Sequence, residues 1–185
     1  MSKKIGSWTQ LESKIAYENP WIKVREDKVL RPDGKLGLYG VVITPPSVII
    51  VAVNETNQFY LLKQFRYPTE RYSWEVPAGS TDNEEPLLAA QRELAEETNM
   101  KAETWTKLAV IQTNNGVCSE LANIFLAQEL TPTNQHNSKV LEEGIEEFKY
   151  VSFKEIITMV NTAELTDSRS ITAIFHAALK LHLIS

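Results

Sequence analysis

The residues from Gly79 to Met100, GSTDNEEPLLAAQRELAEETNM, decide how the rest of the chain is read. From Glu85 to Thr98 the spacing predicts a helix, with Leu87, Ala90 and Leu94 on one side. Glu93, Glu96 and Glu97 then stand at relative positions 0, 3 and 4, so their carboxylates share one face. This acidic stripe lies beside the apolar stripe, which brings the acids close to the domain body. Like charges so spaced cost roughly 0.2–0.5 kcal/mol per pair on an exposed helix, and more in a cleft. Arg92 neutralises part of the cluster; a hard divalent cation held by oxygen ligands would account for all of it. A solvated acidic face is the ordinary reading of a Glu-rich helix, but the flanking residues argue for a site. Pro77-Ala78-Gly79 lets the chain pass close to a ligand and turn a carbonyl toward it. Asn99 stands where a helix end wants a left-handed residue.

Working outward, Val48 to Val53, Phe59 to Phe65 and Trp74 to Val76 read as strands before the helix. Leu108 to Thr113, Ala122 to Ala127 and Phe148 to Val151 read as strands after it, with a polar loop at Thr131 to Ser138. Ser152 opens a helix with Glu155 as capping-box partner. A last helix follows Asp167, with Ile171, Ile174, Phe175 and Ala178 on its apolar face. Near the N-terminus, Trp21 to Leu30 and Gly37 to Ile43 form a hairpin about Pro32-Asp33-Gly34. Pro45 and Pro46 mark a boundary, giving a small β subdomain at 1–45 and a main domain at 46–185. Strands that interleave with helices and also turn directly into strands predict an α/β (α+β) fold, a mixed sheet with helices packed on it.

The composition, 43% hydrophobic and 23% charged over 185 residues, is that of a globular protein. A formal net charge of −5 argues against a nucleic-acid binder, yet leaves room for a small phosphorylated ligand held by local arginines or a cation. With Cys118 as the single cysteine no intramolecular disulfide forms, which fits a reducing cytoplasm. Cys118 itself reads as a packing residue. Lys3 and Lys4 are followed by no apolar stretch, and the longest apolar run, Val48 to Val53, is too short to cross a bilayer. Neither export nor a membrane is expected. His136, His176 and His182 show no metal-ligand spacing.

The central segment resembles the Nudix signature, in which a glycine and a glutamate precede Arg-Glu-apolar-x-Glu-Glu-x-Gly-apolar. Gly79, Glu84, Arg92, Glu93, Leu94, Glu96, Glu97 and Met100 match it. The gap from Gly79 to Glu84 is one residue short, and Asn99 replaces the last glycine. The resemblance implies the Nudix α/β/α sandwich, with Glu93 and Glu97 as principal ligands of Mg²⁺ (or Mn²⁺). It also implies that Glu96 assists directly or through water, that the Ala78 carbonyl is a further possible ligand, and that Arg92 pairs with Glu84 to brace the loop. Pyrophosphate hydrolysis needs phosphoryl charge neutralised and a water deprotonated, and one or more such ions supply both.

Beyond the signature, Leu61-Leu62-Lys63-Gln64-Phe65-Arg66-Tyr67-Pro68 and Trp74-Glu75-Val76-Pro77-Ala78-Gly79 resemble the ADP-ribose pyrophosphatase branch. This likeness puts Arg66 and Glu75 in the substrate site, where a guanidinium suits a diphosphate. Asn19-Pro20-Trp21 through Tyr39 also resembles that branch, whose N-terminal β unit exchanges across a homodimer and lends an aromatic to the nucleobase pocket. Trp21 and Tyr39 read better as core or interface residues. Glu147 aligns with the general base, with Glu146, Glu143 and Glu142 as neighbours able to serve instead. Glu120 matches a position facing the cleft. Asn115 stands where many ADP-ribose enzymes carry proline, which keeps GDP-mannose and other NDP-sugars open as substrates. A polyphosphate or damaged-nucleotide hydrolase and a non-catalytic nucleotide-sugar sensor are the rival readings.

Overall fold

The structure is a computed structural model describing residues 2–133 and 139–184. His136 and the 134–138 part of the expected polar loop lie outside the described residues. The elements in chain order are β1 (Lys3–Ile5), β2 (Trp8–Glu18), β3 (Lys23–Leu30), β4 (Leu36–Ile43), β5 (Ser47–Ala52), β6 (Phe59–Arg66), β7 (Arg71–Glu75), β8 (Ala78–Ser80), α1 (Pro86–Thr98), β9 (Met100–Gln112), β10 (Leu121–Pro132), α2 (Lys139–Glu142), β11 (Ile145–Val151), α3 (Phe153–Asn161) and α4 (Ser168–Lys180). They fall into two compact units, Met1–Pro46 with Gln112–Leu121, and Ser47–Ile111 with Ala122–Ser185. The 112–121 segment thus groups with the N-terminal strands.

In the first unit β1 to β4 form an antiparallel sheet in sequence order. The expected hairpin is its β3–β4 half. The long β2 was missed, because WTQLESKIAYE buries neither face deeply and so leaves a weak alternation. The 112–121 segment joins through a Val42–Cys118 bridge and a Val42 N–H to Val117 O bond of 2.8 Å. Cys118 is half-buried, with its sulfur 3.9 Å from Thr44 Oγ1.

In the second unit a mixed sheet runs β8-β5-β10-β9, with β5 parallel to β10 and antiparallel to β8. A second, antiparallel sheet runs β11-β6-β7. The fully buried run Val48 to Val53 alternates between two cores. Val48, Ile50 and Ala52 pack with Ala89, Ala90 and Leu94 of α1. Ile49, Val51 and Val53 face Leu61, Trp74, Ile156, Met159, Ala173 and Ile174, so α3, α4 and the second sheet cover the opposite side. The mixed sheet between helical layers is the α/β/α arrangement expected. On α4 one residue departs from expectation: Phe175 is 54% exposed, and the buried face is Ala173, Ile174, Ala177 and Ala178. Among the described residues no helix is long and apolar enough to cross a membrane.

Caps fix where the helices begin. Glu85 is the N-cap of α1, accepting from the N–H of Leu87 (2.8 Å) and Leu88 (3.3 Å), with Pro86 at the first position. At the other end Asn99 adopts φ 55°, ψ 30°, and its N–H reaches Ala95 O at 3.0 Å. Asparagine therefore does here what the signature's glycine does. Ser152 and Glu155 form the reciprocal box at α3. Ser152→Ala is expected to lose about 1 kcal/mol, a fall of roughly 2–4 °C in thermal midpoint, measurable by circular dichroism.

Candidate active site

The site grows from the contact between β8 and α1. Turns of α1 that bury Ala90 and Leu94 against the sheet also bury Glu93 and Glu97, which are 5% and 2% exposed. The Ala78 N–H donates to Glu97 Oε2 at 3.0 Å, tying the strand to the helix. Glu143, just beyond α2, brings a third carboxylate, and oxygens of Glu93, Glu97 and Glu143 lie within 4.8 Å of one another. Burial, then the Glu143 charge, pushes the Glu97 carboxyl well above the usual carboxylate range, against the pull of the Ala78 N–H. Oxygen donors at this separation, with two of the three acids buried, fit a hard divalent cation such as Mg²⁺ or Mn²⁺.

Gly79 makes this geometry possible. A Cβ there would fall on the Glu93 carboxylate, so any larger residue displaces β8 or the acid. Gly79→Ala is expected to weaken Mg²⁺ affinity and turnover by about 10–100-fold, read by calorimetry and a hydrolysis assay.

Arg92 organises the outer side of the cluster. Its guanidinium reaches Glu84 (3.0 Å), Glu93 (2.7 Å), Glu96 (3.1 Å) and the Ser80 carbonyl (3.0 Å). These bonds hold the 80–84 loop against α1 and lift the Arg92 pKa further above its already high value, despite the opposing cost of burial. Glu96 thus sits at the rim beside Arg92.

Glu75 and Arg66 form a second element. Glu75 is 2% exposed and takes a two-pronged ion pair from Arg66, Nε to Oε1 at 2.9 Å and Nη2 to Oε2 at 2.6 Å. Arg66 also feels the charge of Glu97. Arg169, at the start of α4, comes within 3.9 Å of Glu75 Oε2. Sequence spacing had not joined Arg169 to this pair; only the meeting of β7 with α4 does so.

The acidic segment before β11 divides. Glu143 goes to the cluster, whereas Glu147 Oε1 accepts from Lys63 Nζ at 2.6 Å and Glu146 Oε1 accepts from the Tyr72 hydroxyl at 2.6 Å. The structure therefore brings Glu143, and not Glu147, to Glu93 and Glu97. Lys63 on β6 was the overlooked signal, since it is the cross-strand partner of Glu147. In the first unit Glu120 accepts from Thr113 Oγ1 at 2.6 Å. There Tyr39 bonds the Gly116 carbonyl at 3.0 Å and meets Trp8 edge-on, while Trp21 is 74% exposed.

Comparison with known proteins agrees with this geometry. The family model described as "NUDIX domain" matches residues 43–173, and "Nucleoside diphosphate sugar hydrolase N-terminal domain" matches residues 8–42. An ADP-ribose pyrophosphatase of Bacillus subtilis (strain 168) is 33% identical over 150 residues, 80% of each chain. A methanol dehydrogenase activator of Bacillus methanolicus is 26% identical over 165 residues, 86% of each chain. The fold matches a crystal structure of an ADP compounds hydrolase with TM-score 0.83 at 21% identity, over 98% of this chain and 97% of that one. The chain belongs to the Nudix hydrolases, as a pyrophosphatase that carries the N-terminal domain of the nucleoside diphosphate sugar hydrolases.

Proposed function

We propose that the chain hydrolyses ADP-ribose to AMP and ribose 5-phosphate in the cytoplasm, as a homodimer and with Mg²⁺ or Mn²⁺. The observation that carries the reaction is the convergence of the Glu93, Glu97 and Glu143 carboxylates; Arg66, aligned by the buried Glu75 and acted on by the charge of Glu97, adds a guanidinium. The likeness to a pyrophosphatase named for ADP-ribose supports that choice of sugar. Asn115 leaves GDP-mannose and other NDP-sugars as the alternative substrates.

Glu93, Glu97 and the Ala78 carbonyl would hold the cation, with Glu96 assisting at the rim. The bound ion supplies charge neutralisation at the phosphoryl group and a more acidic water. Arg92 keeps Glu93 and Glu96 oriented and fastens the loop behind them. Arg66 receives the diphosphate, and Glu75 fixes the plane of its guanidinium. A water then attacks one phosphorus, its proton passes to a glutamate, and the bridging oxygen leaves with the other phosphorus. Glu143 is the better placed base; Glu147 would first have to leave Lys63.

The test is a phosphate-release panel with Mg²⁺, coupled to a monoesterase, offering ADP-ribose, GDP-mannose, UDP-glucose, diadenosine polyphosphates and 8-oxo-dGTP. Preferred cleavage of ADP-ribose is expected. Preference for another NDP-sugar would retain the mechanism and overturn the substrate. Binding without turnover of any compound would replace the enzyme by a sensor.

A further inference from the structure

A cleft of about 880 Å³ lies beside Arg66, walled by β6, β7 and the approach to α4. Its charged lining is uneven. Arg66 and Arg71 are direct partners across the β6–β7 ladder, so two like charges stand on the same face. Such a pair is destabilising unless something compensates it. Glu75 compensates Arg66. No acid among the described residues pairs with Arg71, which is exposed to the cleft. The other acids of the lining are engaged elsewhere: Glu164 pairs with Lys149 at 3.0 Å, and Asp167 caps α4 through Ser170 N–H and Oγ at 2.8 and 2.7 Å. Arg169 adds a further guanidinium, 3.7 Å from Asp167 and 3.9 Å from Glu75. Thr69, Ser73 and Ser168 add hydroxyls to a lining that also includes Pro68 and the Tyr72 ring.

We propose that this cleft is an anion subsite for a phosphate monoester, with Arg71 as its principal cation and Arg169 opposite. Its use as a product site rests on the hydrolytic reading above. Each phosphorus of a diphosphate linkage carries one charge, whereas a free monoester carries about −1.5 to −2 at neutral pH. Cleavage therefore creates anionic charge beside Arg66, and the free guanidinium of Arg71 lies on the same strand pair to receive it.

The experiment uses the full chain in EDTA and titrates inorganic phosphate by isothermal calorimetry, so that neither metal nor turnover is involved. Saturable binding is expected, weakened about tenfold in Arg71→Gln and severalfold in Arg169→Gln. Arg31→Gln, in the turn between β3 and β4 and paired with Asp33, serves as a control expected to match wild type. Circular dichroism checks that the variants fold. Ribose 5-phosphate and AMP, titrated next, distinguish the source: a loss of affinity for either in Arg71→Gln supports the subsite and identifies its monoester. Titrations of both arginine variants that superimpose on wild type, or no saturable phosphate binding at all, would overturn the proposal. A chain that binds phosphate through Arg71 but hydrolyses nothing in the panel would instead refute the enzymatic reading alone.

Discussion

Glu97→Gln is expected to lower turnover by at least about a hundredfold while making the metal-free protein more stable. Both effects have one cause. Glu97 is buried, tied to Ala78 and pressed by the charges of Glu143 and Glu93, so its ionised form is costly in the fold. The amide keeps an oxygen for the Ala78 N–H and removes the repulsion, a gain of about 1 kcal/mol, or roughly 2–4 °C. The same change deletes a charged oxygen donor, so Mg²⁺ should no longer raise the thermal midpoint by mass action. Thermal melts with EDTA and across a Mg²⁺ series, beside a hydrolysis assay, read the two halves separately. Near-wild-type turnover at saturating Mg²⁺ would remove Glu97 from the metal site. A lower midpoint in EDTA would mean that the carboxylate stabilises the fold rather than straining it.

The carboxylate helix was legible because its signal is local. Residues at 93, 96 and 97 must share a face of any helix, and Asn99 marks its end by backbone chemistry alone. The buried run at 48–53 was legible for the same reason. The long strands β9 and β10 were read only at their apolar stretches, since MKAETWTKLAVIQ alternates between exposed and half-buried positions with many charges among them. The choice among Glu142, Glu143, Glu146 and Glu147 was beyond the sequence, because four acids in one segment look alike until partners select them. Lys63 and Tyr72, which hold Glu147 and Glu146, come from strands far earlier in the chain. The Arg71 and Arg169 cleft was hidden likewise: its walls meet only after β7 and α4 have packed.

Arg66 tests whether the ion pair serves binding, stability or both. Arg66→Ala strands the Glu75 carboxylate, which is 2% exposed and would keep only Arg169, 3.9 Å away. Because Arg66 is itself partly exposed, removing it costs less than breaking a fully buried pair, about 1–3 kcal/mol, a midpoint lower by roughly 2–12 °C for a chain of this size. Removing both charges is different, because an apolar replacement of a buried pair is often neutral. The double variant Arg66→Met with Glu75→Gln should therefore recover most of the stability. On the role proposed for Arg66 it should not recover function, and KM for the nucleotide sugar should stay raised about tenfold or more. Thermal melts and steady-state kinetics on both singles and the double separate the two roles. Recovery of KM together with stability would show that Arg66 acts only by keeping Glu75 in place, and the diphosphate contact would have to be sought elsewhere. A stability that stays low in the double, with KM restored by neither change, would mean that the pair holds β6 and β7 together through packing rather than charge.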